Sequence, residues 1–204
     1  VAVTMGPDSA VRALHKAVAL GADRSVHLTD PALAGSDVAA TGYALAETLR
    51  TENPDLVLLG QQSDDGECYT IGAVVADHLQ MPSLTQVIKI DVEGGALRAE
   101  RQAEYGYDTV SVQLPAVISV GDAINEPRYP SLKAIMGAKK KPLETKAAGD
   151  VGIDTSKVGG DNSGAQWTGS KEPPKKEPGE IFEDEDTAET VEKIVAWLEA
   201  RKLI

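Results

Sequence analysis

The residues whose types and spacing are suited to chemistry lie in the stretch 55–72. There the apolar run 56–59 breaks at Gly60 into Gln61, Gln62, Ser63, Asp64, Asp65, Gly66, Glu67, Cys68, Tyr69 and Thr70, and apolar residues resume at Ile71. The chemistry on offer is recognition of an anion. Four consecutive apolar residues behind Asn53 and Pro54 suit a strand covered on both faces, as in parallel sheets. The loop then sits at the carboxyl end of a central strand, where open α/β sheets bind ligands. Beyond it, Ile71, Val74, Val75 and Leu79 repeat with helical spacing, so 67–70 is expected to form a first helical turn with unpaired N–H groups. Those donors and the helix dipole favour a phosphate. The same residues also read as an ordinary βα-loop with an acidic cap.

Composition bounds the remaining possibilities. With 204 residues and 42% hydrophobic content, the chain is long enough for one sizeable core and an appendage. No apolar run approaches the roughly 18 residues of a membrane span, so direct membrane insertion is not expected. A formal net charge of −12 opposes binding to nucleic acid. Cys68 is the single cysteine, which excludes an internal disulfide framework, and no cysteine pair or His cluster offers a metal site. A reducing compartment fits best. Near a helix N-terminus a thiol gains reactivity, but a free Cys usually packs as a small hydrophobe. The chain opens at Val1 inside what reads as a strand, and further residues are expected to precede it.

Taken in order, a strand at 1–5 is followed by a helix over 9–20 with Val11, Leu14 and Val18 on one face and Gly21 as its stop. A short strand at 25–28, a helix over 36–50 and the strand at 55–59 continue the alternation, which predicts a doubly wound, mostly parallel sheet of the Rossmann-like, adenine-nucleotide-binding type. His15 and His27 have no ligand-type partners and read as surface or edge residues. After a helix at 68–79, short runs at 84–90, 96–101 and 109–113 predict an antiparallel edge that opens with a hairpin. The run 116–120 returns to the core, and a short helix over 131–137 leads to Lys139, Lys140 and Lys141.

The domain organisation expected is an α/β domain over 1–146, an extended arm over 147–186 too rich in Gly, Pro, Ser and Lys to build a core, and an amphipathic docking helix over 187–204. Asp186 and Glu189 have capping-box spacing, and Val191, Ile194, Val195 and Leu198 form one stripe. Each buried aliphatic side chain is worth roughly 1.5–3 kcal/mol, so the stripe seeks a partner surface.

Three stretches carry a family resemblance: the run 55–65, the segment 98–120 ending Leu-Pro-Ala-Val-Ile-Ser-Val, and above all 125–142, Asn-Glu-Pro-Arg-Tyr-Pro-Ser-Leu-Lys-Ala-Ile-Met-Gly-Ala-Lys-Lys-Lys-Pro. They resemble the β subunit of electron transfer flavoprotein, and the likeness extends over essentially the whole chain, with the family's first strand and helix absent. The resemblance implies a heterodimer with an α subunit that holds most of the FAD, while the β subunit holds AMP; in electron-bifurcating members a second FAD takes that place. It implies electron transfer from acyl-CoA dehydrogenases, as in fatty acid β-oxidation, to a membrane quinone reductase, in a bacterial cytoplasm or a mitochondrial matrix. It also implies that no acid, base or nucleophile belongs to this subunit, since the cofactor carries the redox chemistry.

Carried over by position, the AMP site is Met5 with Gly60, Gln61, Gln62, Ser63, Asp64, Asp65, Gly66, Glu67, Cys68, Tyr69, Thr70 and Ile71. The family's common Asp-Asp-Asp…Asn-Gln-Thr pattern reads here Asp64-Asp65-Gly66-Glu67-Cys68-Tyr69-Thr70, so backbone contacts transfer more securely than side-chain ones. The partner-binding loop is Arg128, Tyr129, Leu132, Ile135 and Met136, with Leu132 as the anchor in a dehydrogenase pocket; its plain alternative is a core leucine at a helix start. The lysine run is a solvated patch or a steering patch for an acidic partner. A stand-alone adenine-nucleotide sensor is the competing function, and would need no docking helix. An adenylate-forming enzyme is disfavoured because Met5-Gly6-Pro7-Asp8 lacks a phosphate-binding loop.

Overall fold

The computed structural model describes residues 1–64, 66–176, 179, 181 and 186–204. They form two compact units, Val1–Trp167 and Thr168–Ile204. The first unit runs β1 (Ala2–Met5), α1 (Val11–Leu20), β2 (Ser25–Leu28), α2 (Val38–Glu52), β3 (Leu56–Gly60), α3 (Ile71–Leu79), β4 (Ser83–Glu93), β5 (Ala96–Ala103), β6 (Gly106–Gln113), β7 (Ala116–Val120), α4 (Leu132–Ala138) and β8 (Leu143–Lys146). The second contains α5 (Thr187–Ala200).

Local chemistry sets the element ends. The carboxylate of Asp37 accepts the Ala40 N–H at 2.9 Å and starts α2, which ends at Asn53 in the left-handed region. Gly21, at φ +136°, stops α1 and donates its N–H to the carbonyls of Ala17 and Val18. Ser131 accepts the Ala134 N–H and starts α4.

The strands are mostly parallel with an antiparallel edge, as expected for a mixed α/β chain, but they hydrogen-bond as two sheets. One has the order β1-β2-β8, all parallel. The other has the order β3-β7-β4-β5-β6, in which β3, β7 and β4 are parallel and β4, β5 and β6 antiparallel. The middle strands β2 and β7 are the most buried. Leu28, Leu33, Ala40 and Ala44 form one core cluster. Leu84, Val87, Leu97, Ala116 and Ile118 form another, and each such aliphatic side chain contributes roughly 1.5–3 kcal/mol. The three-stranded sheet is tied to α2 through Glu52, whose buried carboxylate is paired with Arg24 and, at 3.0 Å, with Lys146. Desolvation pushes that carboxyl up, but the hydrogen bonds from both cations outweigh it and hold it below its ordinary range.

Four expectations change. β3 is not central: among the described residues it pairs with β7 alone, and Leu58 is 58% exposed. His27 is not an edge residue: it is 1% exposed in the middle strand, with Nε2 at 2.8 Å from the Gly6 carbonyl oxygen, a local partner that the sequence spacing hides. The arm is not coreless from its start, since Ala148, Val151, Ile153 and Val158 are buried with Leu28 and Leu33. Short 3-10 turns at Ala148–Val151, Thr155–Lys157 and Gly160–Asn162 make this possible by placing apolar residues inward without a regular period. Lastly, Glu67–Thr70 is not helical, for a reason that bears on the site.

In the second unit, Asp186 caps α5 by accepting the Ala188 N–H at 2.8 Å, and Glu189 pairs with Lys193. Val191, Ile194, Val195 and Trp197 are exposed along it, consistent with a helix that has an apolar stripe still to bury.

Candidate functional site

The loop between β3 and α3 is exposed from Gln62 to Thr70 except for the half-buried Cys68; Asp65 lies outside the described residues. Glu67 adopts φ +44°, which no helical turn permits, and its N–H donates to the Ser63 carbonyl at 2.9 Å. That donor is therefore spent within the loop. Helix α3 begins at Ile71, where its apolar spacing starts and three residues after the expected start at 68, with Thr70 in the capping position but making no side-chain cap bond. The N–H groups left at the helix start are those of Ile71, Gly72 and Ala73, because Val74 already donates to Thr70. Cys68 Sγ donates to the Gly66 carbonyl at 3.1 Å, the behaviour of a small packed side chain.

Two residues outside the sequence-derived set support this loop. Gly121, just past β7, lies against Gln61: a Cβ built there meets Gln61 Oε1 at 3.0 Å. Ser119, 2% exposed in β7, approaches Gly72, whose added Cβ would lie 3.5 Å from the Ser119 Cβ. Their signal in the sequence is faint, a Ser inside an apolar strand and a Gly directly after it. The neighbouring strand end is strained as well, with Gln86 at φ +57° and a register shift between Leu84 and Val87.

Met5 lies apart from the loop in the cavities seen. It ends β1 and lines a recess of about 580 Å3 with Gly6, Asp8, Leu28, Thr29 and Asp30 among others, and no described residue of 60–71 lines that recess. The recess occupies the carboxyl ends of β1 and β2, the ligand-binding edge of such sheets. Its Asp30 carboxylate accepts N–H groups from Ala32 and Ala148 at 2.9 and 3.1 Å, and these bonds hold its pKa below the ordinary value. Among the described residues no group of His, Cys, Asp and Glu is arranged to hold a metal.

The segment 125–136 gives a different kind of surface. Tyr129 is 95% exposed, Leu132 80% and Met136 74%, with Ile135 also exposed. Leu132 is thus not the core leucine that its position at a helix start also allows. Helix α4 packs on α1. Arg128 steadies the approach: its guanidinium lies against Gly21, 3.1 Å from a Cβ built there, at the carboxyl end of α1 where a cation is favoured. Lys141 is anchored at the same end by donating to the Ala22 carbonyl at 2.8 Å, while Lys139 and Lys140 are exposed.

The first unit is thus an α/β unit with a loop at the carboxyl end of β3 and an exposed apolar knob on a short helix, and the second unit carries an amphipathic helix. The model of the electron transfer flavoprotein domain matches residues 1–151, and the chain belongs to that family. It is 42% identical over 203 residues to the electron transfer flavoprotein subunit beta of Mycobacterium tuberculosis (strain H37Rv), a match covering 99% of this chain and 76% of the relative. The corresponding subunit of Thermoanaerobacterium thermosaccharolyticum is 36% identical, covering 99% and 78%. The caffeyl-CoA reductase-Etf complex subunit CarD of Acetobacterium woodii is 34% identical, covering 100% and 78%. The family places the chain in flavoprotein electron transport, as an electron-transfer subunit and not as a catalyst in its own right. No helix among the described residues is long and apolar enough to cross a membrane.

Proposed function

We propose that the chain is the β half of a heterodimer with an electron transfer flavoprotein α subunit, that it holds AMP, and that it helps shape the α subunit's FAD site. In this role the dimer accepts electrons from acyl-CoA dehydrogenases and passes them to a membrane quinone reductase, in a bacterial cytoplasm or a mitochondrial matrix. AMP is assigned to the carboxyl edge of the strands, between the Met5 recess and the loop 60–71. The free N–H groups of Ile71, Gly72 and Ala73 are the donors suited to its phosphate. Side chains of Gln61, Ser63 and Thr70 are within the same loop and supply neutral hydrogen bonds.

The observation that carries the electron-relay reading is the exposure of Leu132. An aliphatic side chain left 80% exposed, flanked by Tyr129 and Met136, has the form of a hot spot that enters a partner's pocket. The exposed stripe of α5 supplies a second apolar surface, assigned to the α subunit. The test is reduction of the heterodimer by an acyl-CoA dehydrogenase, comparing the wild type with Leu132→Ala. Transfer falls while bound flavin and melting temperature stay unchanged; normal transfer by the folded variant overturns the reading.

A further inference from the structure

The recess at the carboxyl ends of β1 and β2 is backed by a later part of the chain. Met5, Leu28 and Leu33 line it, and the same side chains pack with Val151, Ile153 and Val158 in one apolar cluster. Its rim is formed by Ala34, Gly35 and Ser36, which lie outside any strand or helix. Polar bonds fasten that rim to the stretch 159–165. The Ser36 hydroxyl accepts the Gly159 N–H at 2.8 Å, and the Ala34 carbonyl accepts that of Gly160 at 2.9 Å. In return, the Asp37 N–H donates to the Ser163 hydroxyl at 2.9 Å, and that hydroxyl donates to the Gly159 carbonyl at 2.8 Å. The Asp37 carboxylate is shared between two tasks. Its Oδ1 caps α2 at Ala40, while its Oδ2 accepts the N–H groups of Gly164 and Ala165 at 2.8 and 3.1 Å. The two segments cross at backbone contact: Gly159 has φ +84°, and a Cβ built there falls 2.6 Å from the Ala32 carbonyl oxygen, which leaves no room for a side chain. A stretch whose only task was to carry α5 needs no such fastening to the rim of a recess.

We propose that residues 148–165 are a positioning element for the nucleotide that the recess takes, and that Ser36, Asp37 and Ser163 form its latch. With the latch closed, the rim stands ready-formed, and the ligand bears no cost of ordering it. The chain then divides by task near residue 166 and not near 147: the part before belongs to the recess, the part after to partner binding. The Asp30 carboxylate fits this division, because it lines the recess and accepts the Ala148 N–H at 3.1 Å. By linkage, nucleotide and latch strengthen one another to the same degree. The inference rests on the reading of the recess as part of an AMP site and adds the residues that hold its wall.

The heterodimer purified with its α subunit is diluted into excess isotopically labelled AMP, and replacement of the bound nucleotide is followed by mass. With Ser36→Ala and Ser163→Ala combined, release is about 10-fold faster than in the wild type, the scale of one to two net hydrogen bonds. Ser156→Ala, whose hydroxyl donates to Asp154 within the same arm at 2.7 Å, releases at the wild-type rate. Hydrogen exchange gives a readout that a plain fold defect does not move. AMP added to the nucleotide-depleted wild type slows the amides of Gly159, Gly160, Gly164 and Ala165 about 10-fold; in the combined variant that response is lost, while the β5 amides, which report a folded sheet, keep their protection. Release at the wild-type rate by the folded combined variant overturns the proposal, and so does exchange at those four amides that ignores AMP in the wild type. Both results leave the AMP reading standing, whereas a wild-type heterodimer that neither holds nor takes up AMP overturns that reading and the latch with it.

Discussion

Leu132 shows how one exposed side chain separates two accounts of the same sequence. As a partner anchor, Leu132→Ala costs about 2 kcal/mol or more of dehydrogenase affinity, seen mainly as faster dissociation. A cavity penalty of roughly 2–5 kcal/mol in stability belongs to a buried leucine, and its exposure removes that expectation. Binding kinetics and thermal unfolding of the one variant settle which applies. His27 makes the opposite point. Replacing it by Phe keeps the ring but strands the Gly6 carbonyl, and a buried acceptor without its partner costs about 1–3 kcal/mol, measurable as a lowered urea midpoint; an unchanged midpoint contradicts it. The carboxylates of Asp30 and Asp37 both titrate low, Asp30 through the N–H groups of Ala32 and Ala148, and Asp37 chiefly through that of Ala40. Depressed folded values mean that their contribution is present above the unfolded pKa, near 4, and is lost as pH falls through the folded values. Asp37→Asn therefore lowers stability at neutral pH and flattens its decline below about pH 4. Urea midpoints that run parallel to the wild type from pH 7 to pH 2 contradict this.

At the scale of elements, α2 and α3 meet where Gly42 lets them approach. A Cβ built at Gly42 falls 2.4 Å from Val74 Cγ1 and 2.8 Å from its Cβ. Gly42→Ala therefore forces the helices apart at a cost of about 1–3 kcal/mol from overpacking, outweighing any gain in helix propensity. Calorimetry showing a stabilised variant refutes the close approach. Helix α5 is expected to act by tethering. Ending the chain near residue 180 weakens association with the α subunit and leaves the loop 60–71 unaffected, and an unchanged affinity contradicts that role. The sequence exposed most elements because their periods and turn residues agree: Gly21 stops α1 as expected, and α4 starts beside the expected position 131. It concealed the start of α3, because the apolar spacing from Ile71 gives no sign that Glu67 turns to positive φ and uses its N–H on Ser63. It concealed the core role of 148–158 because 3-10 turns bury Ala148, Val151, Ile153 and Val158 without a period to read.

For the whole molecule, strand alternation gave the fold class, but not the division of pairing into two sheets, since the pairing of edges depends on which strands lie between them. The site was legible as a loop and as a knob. Its supports, Ser119 and Gly121, are brought beside it by strand order and left almost no local trace. The family assignment makes the chain an electron-transfer subunit, and co-expression with an α subunit is predicted to give a 1:1 yellow heterodimer, with a poorly soluble chain when it is expressed alone. The proposal that this chain holds AMP within an electron-carrying dimer can be checked on the purified complex. Denaturing the purified heterodimer and identifying the released nucleotides by mass tests it most directly: AMP and FAD in equal amounts are predicted, and release of FAD alone, whether one or two per dimer, would contradict it.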